Sequence, residues 1–252
     1  MYKTLGVIGG MGPEATCDLM RKIISLTAAS CDQEHIHMIA DVNTAIPDRT
    51  AAILHGGADP LPELVRSGRR LEAAGADVLV MPCNTAHYYH AALSEALDTP
   101  VLHMPRLTAA ELRRAGVRRA AVLATDGTIQ SGVYAGAFAD EGVEPVYPDA
   151  DGQAAVMRLI YDGVKARRVD LRDVPLRPVL DGLRERGAEV CVLACTELPI
   201  AFEALGLADG CLDPTRVLAL AAVRACGAPA AVDSPWQQCA CGRRLKRGGG
   251  GF

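Results

Sequence analysis

The sequence has no run of eighteen or more uninterrupted apolar residues, so no stretch of it reads as a membrane-spanning helix. A basic, apolar leader is missing too: Met1 to Gly10 read as a buried strand entering a glycine turn, and neither export nor membrane insertion is expected. No disulfide framework is expected. The nine cysteines are odd in number, irregularly spaced and mostly set in apolar segments, which points to a reducing compartment, the cytoplasm. Positive charge is not in excess either. Arg243, Arg244, Lys246 and Arg247 fall in the last ten positions, and residues 1–232 carry 22 basic against 29 acidic groups, a formal charge of −7. Such an acidic body argues against nucleic acid as the main partner, and an anionic substrate would need locally placed cations. No metal-ligand set and no cofactor-binding lysine motif is visible, so no cofactor is expected.

What is present is an ample apolar fraction, 50% of 252 residues, arranged as short Val/Ile/Leu/Ala runs alternating with helical patterns. That alternation predicts α/β architecture, parallel sheets covered by helices on both faces. Candidate strands are Thr4–Ile8, His37–Val42, Val78–Met81, Val101–Leu102, Ala120–Leu123, Glu144–Val146, Val190–Leu193 and Gly210–Leu212. Helices are expected to follow from Pro13, Pro60, Thr85, Leu107, Thr128, Gln153, Leu176 and Pro214. Pro13 suits a first helical turn, where its missing N–H would be unpaired in any case.

The chain also resembles itself. Leu71-Glu72-Ala73-Ala74-Gly75-Ala76-Asp77-Val78-Leu79-Val80-Met81-Pro82-Cys83-Asn84 is echoed by Leu183-Arg184-Glu185-Arg186-Gly187-Ala188-Glu189-Val190-Cys191-Val192-Leu193-Ala194-Cys195-Thr196 at a constant offset of 112. A weaker echo relates Val7 to Gly12 with Val122 to Gly127. Two related α/β halves are therefore expected, divided as 1–105 plus 210–227 and 106–209, with 228–252 as a disordered tail. Cys239 and Cys241 in that tail supply too few sulfur ligands for a closed metal site.

Ligands of open parallel sheets sit beyond the carboxyl ends of the strands, and Cys83 and Cys195 each fall just past one. Asn84-Thr85 and Thr196-Glu197 follow them and are expected to open helices, whose N–H groups would lower the thiol pKa and seat a carboxylate. Two thiols related by a repeat suggest a symmetric task. Moving a proton across a carbon centre is such a task, with a base on one face and an acid on the other. Asn84, Thr85 and Thr196 are candidate donors to a carboxylate or carbanion. Cys17, Cys31, Cys191, Cys211 and Cys226 read as small apolar fillers, and His87 as a structural histidine sooner than a catalytic one.

Gly9-Gly10-Met11-Gly12-Pro13, Ile46-Pro47-Asp48-Arg49-Thr50, Met81-Pro82-Cys83-Asn84-Thr85-Ala86-His87 and Cys195-Thr196-Glu197-Leu198-Pro199 together resemble the aspartate/glutamate racemase family. Asp32-Gln33-Glu34-His35 and Ile160-Tyr161-Asp162-Gly163-Val164-Lys165 bring the chain closest to the aspartate racemase branch, over a stretch ending near Gly227. The resemblance implies two pseudo-symmetric three-layer domains with the active site in the cleft between them, and commonly a homodimer. It also implies a small amino-acid substrate, no pyridoxal phosphate or metal, and Cys83 and Cys195 as the catalytic pair. Met11 and Thr50 would line the substrate site, and Arg49 and Lys165 would hold a side-chain carboxylate. Arg106 stands where relatives usually carry an acidic residue, and Asp126 in a loop more often rich in threonine, so substrate is less tightly implied than chemistry.

Three alternatives stand beside this reading. The first is a racemase of glutamate or of many amino acids, or a two-cysteine isomerase of another carboxylate. The second is a dinucleotide-dependent oxidoreductase, since Gly10-Met11-Gly12-Pro13-Glu14-Ala15 fits the glycine-loop pattern; its candidate ribose-binding acid, Asp41, lies 29 residues past Gly12, and about 20 is usual. The third is an amino-acid-binding module without catalysis, for which paired thiols would have no use.

Overall fold

The computed structural model describes residues 2–236 except 169, 171 and 172. The first half runs β1 (Leu5–Gly9), α1 (Pro13–Leu26), β2 (Met38–Val42), α2 (Arg49–His55), α3 (Leu61–Ala73), β3 (Val78–Val80), α4 (His90–Ala96) and α5 (Met104–Arg114). The second runs β4 (Arg119–Leu123), α6 (Asp126–Gln130), α7 (Val133–Glu141), β5 (Glu144–Val146), α8 (Ala150–Arg158), a π-helix (Leu159–Lys165), α9 (Leu176–Glu185), β6 (Val190–Leu193), α10 (Glu197–Leu205) and β7 (Cys211–Leu212). Helix α11 (Pro214–Ala225) returns to the first half. Among the described residues no helix is long and apolar enough to cross a membrane.

Both sheets are parallel, and their orders repeat. The first is β2-β1-β3, extended by a bridge from Leu79 to Val101; the second is β5-β4-β6-β7. The interior strands are buried, all but Arg119 at the start of β4, because both faces are covered. In the first half Leu5, Val7, Val78 and Val80 face α1 and α11, while Ile8, Leu79 and Met81 face α3 and α4. In the second, Ala120, Val122, Val190 and Val192 pack on Tyr134 and Phe138 of α7, while Leu123 and Leu193 pack on Val156, Leu159 and Phe202. Truncating a fully buried ring such as Phe138 or Phe202 to alanine would cost about 3–5 kcal/mol.

Several expectations change. Helix α2 was not anticipated: Asp48 caps it by accepting the Ala51 N–H at 2.7 Å. The helix expected from Thr85 begins as a 3-10 segment, Thr85–Tyr89, before α4. Residues 211–212, grouped by the sequence with the first unit, pair with β6 in the second sheet, where Cys211 and Leu212 lie in parallel register with Cys191 and Val192; only the following helix crosses back. Residues 228–236, expected to be tail, are held by backbone bonds from Ala28 to Pro229 and Ala231 to Leu26, and Trp236 packs on the second core. The rest of the expected tail, including Cys239 and Cys241, lies outside the described residues.

The halves are joined at several places, two of which involve α1 and α2. Lys22 of α1 is buried between Asp18 and Asp213, at 2.6 Å from the latter, and Asp213 also caps α11 through the Thr215 N–H at 2.8 Å. Across the cleft, α2 packs on α6. A Cβ on Gly127 would stand 2.7 Å from Thr50 Oγ1 and 2.9 Å from its Cα, so only glycine permits this approach.

Candidate active site

A cleft of about 290 Å³ opens where the strand ends of the two halves meet. Met11, Arg49, Thr50, Cys83, Asn84 and Thr85 line it from the first half, and Lys165, Cys195 and Thr196 from the second. Every residue singled out from the sequence as a site residue is therefore on its wall. Asp48, Thr125, Tyr161 and Glu197 line it as well. Of these, Asp48, Tyr161 and Glu197 sit inside motifs the sequence displays. Asp126 is not on the wall: Gln153 Nε2 holds its Oδ1 at 2.7 Å. Arg106 is exposed on α5 next to His103 and is not on the wall either.

Cys83 follows β3 by three residues and Cys195 follows β6 by two, both buried. Their surroundings differ. The Cys195 thiol donates to Glu197 Oε2 at 3.0 Å, and Thr196 Oγ1 donates to the same oxygen at 3.2 Å. Burial, reinforced by the Glu197 charge, pushes the Cys195 thiol well above the usual range, against the pull of Lys165. That reverses the sequence expectation for this thiol: the start of α10 is outweighed by desolvation and a carboxylate.

Cys83 is backed by His87. His87 Nε2 accepts the Met104 N–H at 3.1 Å, so its Nδ1–H donates to the Cys83 carbonyl at 2.8 Å. Burial, and next the neighbouring His103, lower the His87 pKa to about 3, so the ring stays neutral and fixes the backbone that carries the thiol. The structure thus supports the structural role expected for His87. Beside Cys83 lies the buried Arg49, whose Nη1 donates to Pro47 O at 2.8 Å and Ile46 O at 3.3 Å, while its buried Nε has no protein partner among the described residues. Burial opposes the Arg49 charge, but Cys83 and Asp48 outweigh it and raise the pKa. Lys165 is exposed as a residue, yet its ammonium lies 4.4 Å from the centre of the Tyr161 ring. Desolvation works against its charge too, and Glu197, Cys195 and Tyr161 more than compensate.

Between the halves, Thr85 Oγ1 stands 3.1 Å from Thr125 Oγ1 and 2.7 Å from Thr128 Oγ1, and those two are 3.1 Å apart. Each hydroxyl of this triangle can donate once and accept once, which satisfies all three in a dry setting. Among the described residues no group of three or more His, Cys, Asp or Glu side chains is placed to hold a metal ion.

Two α/β halves with parallel sheets thus bring a thiol from each half to one polar cleft, and the comparisons with known proteins make the chain an isomerase of the racemase type. The chain belongs to the Asp/Glu/hydantoin racemase family, whose model matches residues 8–222. It is similar to the aspartate racemase of Picrophilus torridus, with 31% identity, a TM-score of 0.79 and coverage of 90% of this chain and 96% of that one. The broad specificity amino-acid racemase RacX of Bacillus subtilis is 28% identical over 224 residues, 87% of this chain and 96% of that protein. Glutamate racemase from Francisella tularensis, at 16% identity and a TM-score of 0.64 over 88% of this chain and 80% of that one, shares the fold.

Proposed function

We propose that this racemase interconverts L- and D-aspartate, without a cofactor, by two-base chemistry between Cys83 and Cys195. The observation that carries the reading is the arrival of both thiols on one cleft from equivalent strand ends, with Arg49 and Lys165 on its wall. The α-carboxylate is received by the Asn84 side-chain amide and by the backbone N–H groups of Thr85 and Thr196, whose hydroxyls are already engaged, and the side-chain carboxylate by Arg49 and Lys165. One thiolate removes the α-proton, and the opposite thiol delivers its own proton to the other face of the carbanion; the reverse reaction exchanges the roles. An α-proton is far less acidic than a thiol, and each unit of mismatch costs about 1.4 kcal/mol. The burial that holds the Cys195 thiol up makes its thiolate a stronger base and narrows that gap. Glu197, at 3.0 Å from Cys195 Sγ, is placed to carry protons between this thiol and solvent.

The test is chiral chromatography of L-aspartate incubated with the pure protein in heavy water. Deuterium should appear at the α-carbon of new D-aspartate while recovered L-aspartate stays mostly protiated. Exchange in the recovered substrate with protium kept in the product would point to a single base and reject the mechanism. The similarity to RacX favours a second reading, a broad substrate range. Glutamate and alanine run in parallel separate the two, because the aspartate reading requires a clear preference for aspartate. The same reading takes the enzyme as a cytoplasmic homodimer, where reducing conditions keep the thiols free; light scattering in solution tests the oligomeric state.

A further inference from the structure

Tyr134 of α7 reaches across from the second half to the first. Its hydroxyl donates to Asn84 Oδ1 at 2.6 Å, and the ring is 1% exposed, packed edge-on against Phe138 at 5.5 Å between centroids. Burial pushes the phenol pKa far up, so it stays protonated; the neighbouring Thr108 hydroxyl only partly offsets this. Asn84 is itself 2% exposed and on the cleft wall, and its Nδ2 has no protein partner among the described residues. An amide whose oxygen is taken by a phenol has one orientation left. Its NH2 is then turned away from Tyr134 and left unpaired in a residue that lines the cleft beside Cys83.

We infer that Tyr134 is a positioning residue for the racemisation reaction: it fixes the rotamer of Asn84 so that the amide NH2 is aimed at the substrate carboxylate. The inference rests on the proposed function for what occupies the cleft, and on geometry alone for how Asn84 is held. A donor aimed in advance matters most when negative charge spreads onto the carboxylate as the α-proton leaves, so its loss should fall on turnover more than on binding. The contact also joins the halves, so Asn84 is correctly oriented only when α7 sits against the first half as it does here. Without the hydroxyl the amide can turn and present its oxygen to the carboxylate, which is repulsive.

The experiment combines kinetics on aspartate for wild type, Tyr134→Phe, Asn84→Ala and the double variant with the side-chain amide resonances of Asn84 in 15N-labelled protein. Tyr134→Phe is expected to lower kcat about tenfold with KM within about twofold, the size of one lost hydrogen bond expressed in the transition state. On the Asn84→Ala background it should add no further loss. The Asn84 amide resonances should move or broaden in Tyr134→Phe while thermal stability changes little. An unchanged kcat, or a loss that multiplies with that of Asn84→Ala, overturns the inference and leaves the aspartate reading intact. If the wild type racemises no amino acid, the proposed function falls instead; the resonances then decide alone, and unperturbed Asn84 signals in Tyr134→Phe overturn the positioning role.

Discussion

At the scale of single residues, the two thiols are equivalent by repeat and different by environment. Cys195 shares a hydrogen bond with Glu197, while Cys83 is held from behind by His87 and flanked by Arg49. Cys83→Ser and Cys195→Ser should each abolish conversion in both directions, with the double variant little worse than either; near-normal activity of one single variant would remove the two-base mechanism. Glu197→Gln keeps shape and removes charge. The pH dependence of Cys195 alkylation, followed by mass spectrometry, should then shift downward yet stay above the ordinary thiol range, since burial is the larger cause of its raised pKa. An unmoved alkylation profile would show that the carboxylate does not govern this thiol. Both cysteines were legible in the sequence because the 112-residue offset put them past matching strands. The raised pKa of Cys195 was not legible, since it depends on how deeply the thiol is buried and on a carboxylate two residues on turning back towards the sulfur.

At the scale of elements, the local segments carry different burdens. The 3-10 segment Thr85–Tyr89, the first residue of α4 and the residue that caps α5 bring three histidines together, with ring centres of His87 and His103 5.2 Å apart and of His90 and His103 4.4 Å apart. All three have lowered pKa values, His87 to about 3 and His103 to about 4, with burial the leading cause in each. A depressed pKa means that the unfolded chain binds the proton first, so the stability held by neutral His87 is intact above about pH 6.5 and drains away as pH falls towards 3. Between pH 6.5 and 5, above most carboxylate titrations, His87 alone should account for a loss of about 2 kcal/mol. Chemical denaturation across that window should show a clearly shallower slope for His87→Gln, and an identical slope would contradict the assignment. On the facing side, Gly127→Ala drives a methyl group into Thr50 and must push α2 away from α6. A cost of about 1–3 kcal/mol in stability, with weaker aspartate turnover because Arg49 moves with α2, is expected; unchanged kinetics would mean that α2 does not need this contact. Most strands were legible from unbroken apolar runs. Helix α2 was hidden because its seven residues follow Pro47 and carry no apolar period, and only the Asp48 cap announced it. The π-helix was likewise hidden, since nothing local in Leu159–Lys165 distinguishes it from a continuing α8.

At the scale of the whole molecule, strand order repeats while the chemical decoration does not, and on the proposed reading this asymmetry decides what the cleft can select. The first half contributes Arg49 through α2, and the second contributes Lys165 through the π-helix. A dicarboxylate whose far carboxylate meets both cations is therefore a bridge between halves, whereas alanine, lacking that carboxylate, can be gripped only at its α-carboxylate and ammonium. Aspartate at about a hundred times its Kd should stabilise the folded enzyme by about 2.7 kcal/mol, a rise in Tm of roughly 5–10 °C for a chain this long. Arg49→Ala and Lys165→Ala should each lose most of that rise. In kinetics each should lose about ten- to a hundredfold in kcat/KM for aspartate, the worth of a charge-assisted contact of about 1.5–3 kcal/mol, and much less for alanine wherever alanine turns over. The comparison within one variant controls for damage to the fold, because misplacing the thiols would harm both substrates alike. Equal losses on aspartate and alanine, or a ligand-induced rise in Tm that survives both substitutions, would place Arg49 and Lys165 in the scaffold and leave the preference for aspartate without a physical basis.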